Sequence, residues 1–407
     1  MASHVLSDEP GEPSRPGEPA QDVIVVGGGI GGLGSALALA LAGQRVRVLE
    51  RSPAFGEVGA GLQLAPNATR ILRTWGVLDE VIARGVLPRR LVMRDAVDGR
   101  ELSYLDLADA AMRYGAPYVV IHRSDLHEIL VEACRVAGVD LVTAAEVTDV
   151  EIGADHAVAV GPRRRDSGRV VVAADGLNSR LRHRLSSDEP VSSAYVAYRG
   201  AVPIDDLADT SHLALLDVTF FVGPCCHLVQ YPLRGGEMFN QVAVFRSPRA
   251  MAGEPDWGTP DELDAAFAGT CATVRDALPD LWRDRWWRMY DREPIDTWVD
   301  RRMALTGDAA HPMLQYLAQG ACQAIEDAAC LAGVAGKHGS DLNGTDWDAA
   351  LHDYTAARTV RTARVQRTAR DWGDLWHCDG LFRTVRNALL ADRDPADYRY
   401  IDWLYGS

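Results

Sequence analysis

With 407 residues, 47% of them hydrophobic and 24% charged, the chain can bury a large core in two lobes without a disulfide or metal staple. Its formal net charge of −15 argues against nucleic acid or an anionic membrane surface as the main partner, and favours a small ligand or cofactor. Seven cysteines form no CxxC and no interleaved Cys/His pattern, so they read as free thiols of a reducing cytoplasm, with no metal site.

Residues 1–21, rich in Pro, Gly, Ser and Glu, read as a disordered tail rather than a signal peptide. Asp22–Val26, Gly32–Ala42 and Arg45–Glu50 then read as strand, helix and strand, the opening of a doubly wound sheet. Val23–Gly43 is apolar enough to suggest a membrane span, but six glycines between Gly27 and Gly34 break it, so no integral membrane segment is expected. Within VVGGGIGGLGSALAL, Gly27, Gly29 and Gly32 form GxGxxG, where missing side chains let the backbone approach a pyrophosphate at a helix N-terminus. That motif alone is weak. Its flanking strand and helix strengthen it, as does Glu50 at the position of a ribose-binding acid, with Arg51 beside it.

Gly56–Gln63 is a Gly-rich loop, Asn67–Trp75 starts a helix running toward Val81, and Leu91–Leu105 suits a hairpin. Arg123 precedes the helix Asp125–Ala137, where it would reach cofactor phosphates or a ribityl chain. Strands follow over Asp140–Val160, and Val170–Ala173 enters VVAADGLNSRLR, whose Asp175 and Gly176 would brace the pyrophosphate from the other side. From Ala194 to Phe245 the pattern is mostly strand, read as an inserted antiparallel sheet. There His227 and Tyr231, four apart, point to one face. On the residues alone, His227 reads as a satisfied core histidine.

Pro260–Ala277 is helical, and Trp282, Trp286, Trp287 and Trp298 read as aromatic burial between lobes. Met303–Leu305 returns to the first lobe and enters LTGDAAHP, where Gly307 and Asp308 would hold the ribityl chain. The helix beginning near Gly320 would aim its N–H groups at a flavin pyrimidine ring. Gln319–Val334 and Trp347–Gly373 are long closing helices, and Arg358, Arg361, Arg364 and Arg367 read as a solvated face, or secondarily a dimer contact.

The three fingerprints together resemble those of single-component flavoprotein aromatic hydroxylases, the salicylate-hydroxylase and 4-hydroxybenzoate-hydroxylase group. ERSPAFGEVGAGLQLAPNATRIL, PYVVIHRSDLH, CHLVQYPLRGGEMFNQVAVF, HPMLQYLAQGACQAIEDA and RYIDWLYG resemble the 3-hydroxybenzoate 6-hydroxylases in particular. The resemblance implies an α/β fold. A Rossmann-like FAD-binding lobe of 4-hydroxybenzoate-hydroxylase type would comprise residues 22–90, 106–190 and 299–345. A mainly antiparallel substrate lobe would take 91–105 with 191–298, and C-terminal helices 346–407.

It further implies FAD as cofactor, NADH or NADPH as transient co-substrate, and O2. The chain offers no second nucleotide fold, so the pyridine nucleotide would bind in a groove of the FAD lobe. The implied reaction is para-hydroxylation of 3-hydroxybenzoate to gentisate through a flavin C4a-hydroperoxide. His227 would be the base, Tyr231 would orient it, and Gln315 would complete the polar end of the pocket. Gln315 stands where most relatives carry Pro, and Ala318 and Cys322 stand where glycines are usual. A homodimer is implied as well. The alternatives are a hydroxylase of salicylate or another phenol, and, in a different class, a non-oxygenating FAD dehydrogenase.

Overall fold

In the parallel sheet that starts the fold, the apolar runs of Gln21–Val26, Val46–Leu49 and Arg165–Ala173 are covered on both faces. The structure is a computed structural model and describes residues 21–56, 60–207, 210, 213–339 and 344–406. Of the expected tail, residues 1–20 lie outside this set, and Gln21 already belongs to the first strand. The sheet runs Val299–Asp300, Met303–Leu305, Arg165–Ala173, Gln21–Val26, Val46–Leu49, Asp140–Val142, extended by the hairpin Asp149–Ile152 and Ala157–Val160.

Its five central strands are parallel and in register, Leu305 against Ala173, Ala173 against Val26, and Val26 against Leu49. The three fingerprints therefore leave neighbouring strands at the same, C-terminal edge, where open parallel sheets bind ligands. The helix Ile30–Leu41 lies against Gly320–Lys337 through small residues, with Gly31 and Gly34 facing Ala324 and Ala328.

The second sheet runs Trp287–Asp291, Val191–Pro203, Met238–Arg246, Cys226–Leu233, Val218–Gly223, Arg90–Asp95, Glu101–Asp106. Every pairing is antiparallel except that of Val218–Gly223 with Arg90–Asp95. Alternation splits its side chains between two faces. Tyr198, Phe221, Leu228 and Phe245 pack outward under Leu263 and Phe267 in a separate core. Arg199, Val242, His227, Val229 and Tyr231 face the first sheet.

Several expected elements differ. The helix from Asn67 toward Val81 is two, Pro66–Thr74 and Leu78–Arg84, broken where Gly76 takes a φ of +75°. Pro260–Ala277 likewise divides into Pro260–Phe267 and Ala272–Asp276. The long helix passes Gly373 and runs to His377. Gly373 does not end it; a Cβ there would meet the Tyr316 ring at 2.5 Å. The four tryptophans form no single cluster: Trp282 meets Trp287, Trp286 stacks on Tyr198, and Trp298 packs on His311 and Tyr354.

The arginine face is corrected at two of its four positions. Arg358 is buried and bonded to Glu326 and Asp327, Arg361 grips both Glu326 oxygens, and Arg364 lies over the Trp403 ring at 3.9 Å. The helix turns Arg358 and Arg361 toward the neighbouring acidic pair and the C-terminal segment instead of water, whereas Arg364 and Arg367 stay exposed, as the spacing predicts. Among the described residues all seven cysteines are unpaired, no acidic, His or Cys cluster suits a metal, and no helix is long and apolar enough to cross a membrane.

Candidate active site

The C-terminal edge of the first sheet and the inner face of the second enclose a cleft of about 560 Å³. Gly27, Gly29, Glu50, Arg51, Arg123, Asp175, Gly176, Gly307, Asp308 and Gly320 line it, as do His227, Tyr231 and Gln315. Gly32 does not. It lies inside the first helix, where a Cβ would fall 1.9 Å from the Gly27 carbonyl oxygen, so it sets how closely helix and loop pack.

Gly27 has a φ of +109°, and a Cβ on it would strike the Ala174 carbonyl oxygen at 2.3 Å. The first helix begins with no side-chain cap and no acidic residue in its first turn, leaving its N–H groups to a ligand. Glu50 braces the loop: Gly28 N–H donates to one carboxylate oxygen at 2.7 Å and Ser52 N–H to the other at 2.8 Å. Burial would raise the Glu50 pKa, but these backbone donors outweigh it and hold the carboxyl below its usual range. Each oxygen keeps a lone pair for a ribose hydroxyl.

Asp175 is committed largely to its own turn, accepting from Ser179 Oγ at 2.6 Å and Arg180 N–H at 2.9 Å. The Gly307–Asp308 turn is held from below by Asp327. This fully buried carboxylate accepts from Gly307 N–H at 2.9 Å, contacts His311 Nε2 at 2.5 Å, and accepts from Arg358 Nε at 2.7 Å. Burial opposes its charge, but His311 and Arg358 prevail and keep its pKa far below normal. Arg182, also fully buried, ties the second fingerprint to the third by donating to the Ala309 and Ala310 carbonyls. Neither Asp327 nor Arg182 carries a sequence signal of its own, since each looks like an ordinary charged residue in a helical or turn context.

At the other end of the cleft His227 is 1% exposed, and its Nδ1 lies 2.8 Å from Nε2 of His377, one nitrogen donating and the other accepting. Reading the long helix as ending at Gly373 leaves out both His377 and Trp376. Tyr316 and Trp376 meet the His227 ring edge-on, and Tyr195 stacks on His377 at 4.6 Å. Burial pushes the His227 pKa well below normal, with the neighbouring His377 adding to it; burial also lowers that of His377, to about 3. Both rings are neutral at pH 7. With Nδ1 bonded to His377, the Nε2 of His227 is the remaining nitrogen for a ligand.

Tyr231 sits where Gly61 makes room for it; a Cβ on Gly61 would come within 2.4 Å of its ring. Burial raises the Tyr231 pKa, so its hydroxyl stays protonated. Gln315 reaches the cleft from the loop before the Gly320–Lys337 helix, whose start is also uncapped and lines the cleft. Ala318 there adopts the left-handed conformation at φ +51°, consistent with glycine being usual at that position.

The buried histidine pair gives the fold an acid sensitivity. A group whose folded pKa is depressed stabilises the fold above its unfolded pKa of about 6.5 and loses that contribution as pH falls, because only the unfolded chain then takes up the proton. The unfolding free energy from urea titration is expected to drop between pH 7.5 and 5.5, by on the order of 1 kcal/mol for each histidine. His377→Asn should flatten that slope; equal slopes in both proteins would refute this reading.

The cleft suits FAD. The side-chain-free approach at Gly27, two uncapped helix starts, and the Glu50 carboxylate beside the first of them form a cradle for a pyrophosphate, a ribose and a polar ring edge. Residues 20–369 match the family described as FAD binding domain. The chain is 39% identical over 394 residues to 3-hydroxybenzoate 6-hydroxylase 1 of Aquipseudomonas alcaligenes, covering 95% of this chain and 97% of that protein. It is 38% identical over 395 residues to the 3-hydroxybenzoate 6-hydroxylase of Klebsiella oxytoca, covering 94% and 96%. The structure of Klebsiella pneumoniae HpxO complexed with FAD and uric acid superimposes with a TM-score of 0.80 at 27% identity, covering 92% of this chain and 93% of that one. With the cradle and these likenesses together, the chain belongs to the FAD binding domain family of flavin-dependent aromatic monooxygenases.

Proposed function

We propose that this protein uses FAD, NADH and O2 to hydroxylate 3-hydroxybenzoate para to its hydroxyl group, giving gentisate. The observation that carries the reading is the placement of His227, Tyr231 and Gln315 around the end of one cleft whose other end is the dinucleotide cradle. The names of the relatives that match over nearly the full chain support the same substrate. When bound, FAD supplies the electrons taken from NADH and the site at which O2 is activated.

The chain's own part is to ready the phenol. Nε2 of the neutral His227 accepts the phenolic proton, while the His377 contact at Nδ1 orients the ring. Loss of that proton raises electron density at the ortho and para carbons, and carbon 6 of 3-hydroxybenzoate is para. Tyr231, held protonated, and the Gln315 amide fix the ring's orientation by hydrogen bonding. Trp376 and Phe220 form apolar walls that exclude water, and Tyr316 packs behind them against the His227 ring. One oxygen atom enters the ring and the other leaves as water.

The same reading places the protein in the cytoplasm, supported by its unpaired cysteines, and as a homodimer. Leu381, Phe382, Val385 and Leu389, exposed by 48–77% on one helix, support the dimer. Sedimentation equilibrium returning a monomer would remove that part.

The test is NADH oxidation by the FAD-loaded protein with 3-hydroxybenzoate and with salicylate, the product identified by chromatography. One gentisate per NADH from 3-hydroxybenzoate is expected. NADH loss that yields only peroxide, or no stimulation, overturns the substrate.

A further inference from the structure

The second sheet offers the cleft a cation that the mechanism above does not use. Arg199 belongs to the strand Val191–Pro203 and pairs across it with Val242, which in turn pairs with Val229, the residue midway between His227 and Tyr231. All lie on the inner face, and Arg199, Val242, Val229, His227 and Tyr231 all line the cleft. The Arg199 backbone is two strand spacings, about 10 Å, from that of Val229. A guanidinium reaching inward and a benzoate ring held at His227 span that distance together.

The guanidinium is also poorly satisfied. Its Nε is enclosed and has no hydrogen-bond partner among the described residues, and the group lies 5.5 Å over the Trp287 ring. Burial, and the like charge of Arg123, press its pKa below the ordinary arginine value, while Tyr231 acts the other way. An enclosed cation without a counter-charge is costly, and an anion entering the cleft would relieve it.

We propose that Arg199 is the carboxylate-binding residue of the substrate pocket, so that His227 takes the hydroxyl end of a hydroxybenzoate and Arg199 the acid end. This rests on the hydroxybenzoate reading above and adds the residue that selects an aromatic acid over a neutral phenol. A planar guanidinium matches the two carboxylate oxygens, and its rigid position across the sheet fixes which ring carbon is presented.

The experiment is equilibrium binding to oxidised holoenzyme without NADH, read from the change in flavin absorbance, for 3-hydroxybenzoate and its neutral counterpart 3-hydroxybenzamide. Arg199→Gln is expected to weaken 3-hydroxybenzoate roughly 10- to 100-fold, as for loss of hydrogen bonds to a charged group, and to change the amide by less than about threefold. FAD content should match wild type. Arg199→Lys, which keeps the charge and is the variant to use if Arg199→Gln does not fold, should give an intermediate loss confined to the acid. Equal weakening of both ligands, loss of FAD, or no change in either overturns the clamp. A wild-type holoenzyme blind to 3-hydroxybenzoate overturns the substrate reading and the clamp with it. A wild type that binds the acid while Arg199→Gln binds it equally well overturns the clamp alone.

Discussion

His227→Ala is expected to lower gentisate formation by about 10²- to 10⁴-fold, the range of a positioned general base, while FAD remains bound. The ring lies on the inner face of the second sheet, away from the dinucleotide cradle, so its loss leaves the cofactor contacts intact. Substrate-stimulated NADH oxidation should persist in part, with its electrons appearing as H2O2, because the phenol then arrives without its base. The pH profile carries the more specific signature. Without His227 the phenol must lose its proton to solvent, so the variant's rate should climb about tenfold per pH unit below the phenol's own pKa. Wild type, with a base that stays neutral well into acid, should be much flatter over the same range. A variant that forms gentisate within a few-fold of wild type, or whose residual rate ignores pH, would remove His227 from the role of base.

Asp327→Ala is expected to be the most damaging single change to the fold, costing about 3–5 kcal/mol, as for a buried ion pair that loses one partner. The substitution strands Arg358 Nε, His311 Nε2 and Gly307 N–H together in a region closed to water. Because Gly307 opens the turn that presents Asp308 to the cleft, the loss should reach the cofactor as well as stability. The expected result is a lower urea midpoint together with weaker FAD retention on dilution. An unchanged midpoint and full FAD content would show that the turn needs no such brace. The gap between wild type and variant in both measurements should narrow as pH falls below the ordinary carboxylate range. A carboxyl held far below its ordinary pKa stabilises the native protein above the unfolded value, and wild type loses that contribution in acid, whereas the variant has none to lose.

The order of the fold was readable because its signals are local. GxGxxG between strand and helix, the Asp-Gly and Gly-Asp turns, and the alternation through CHLVQYPL each depend on neighbours a few residues away. From them came the α/β class, the FAD-binding assignment, and the shared face of His227 and Tyr231, which the second sheet preserves. Where local rules misled, a distant partner had changed their meaning. Gly373 looks like a helix end, but its missing side chain receives Tyr316, and the four residues beyond it carry Trp376 and His377 into the site. Arg358 and Arg361 look solvated by spacing, yet Glu326 and Asp327, more than 30 residues earlier, draw them inward.

By itself, then, the sequence determined which glycine turns open toward the cleft and that His227 and Tyr231 share one face of a strand, because glycine freedom and strand alternation are properties of short segments. Only the tertiary structure decided what stands behind those residues: His377 against His227, Asp327 beneath Gly307, Gly32 against the Gly27 carbonyl rather than in the cleft, and Arg199 two strands from Val229. The physical reason is that burial and pairing of charge are set by whatever the packed chain brings within a few ångströms, and that neighbourhood has no fixed separation along the sequence.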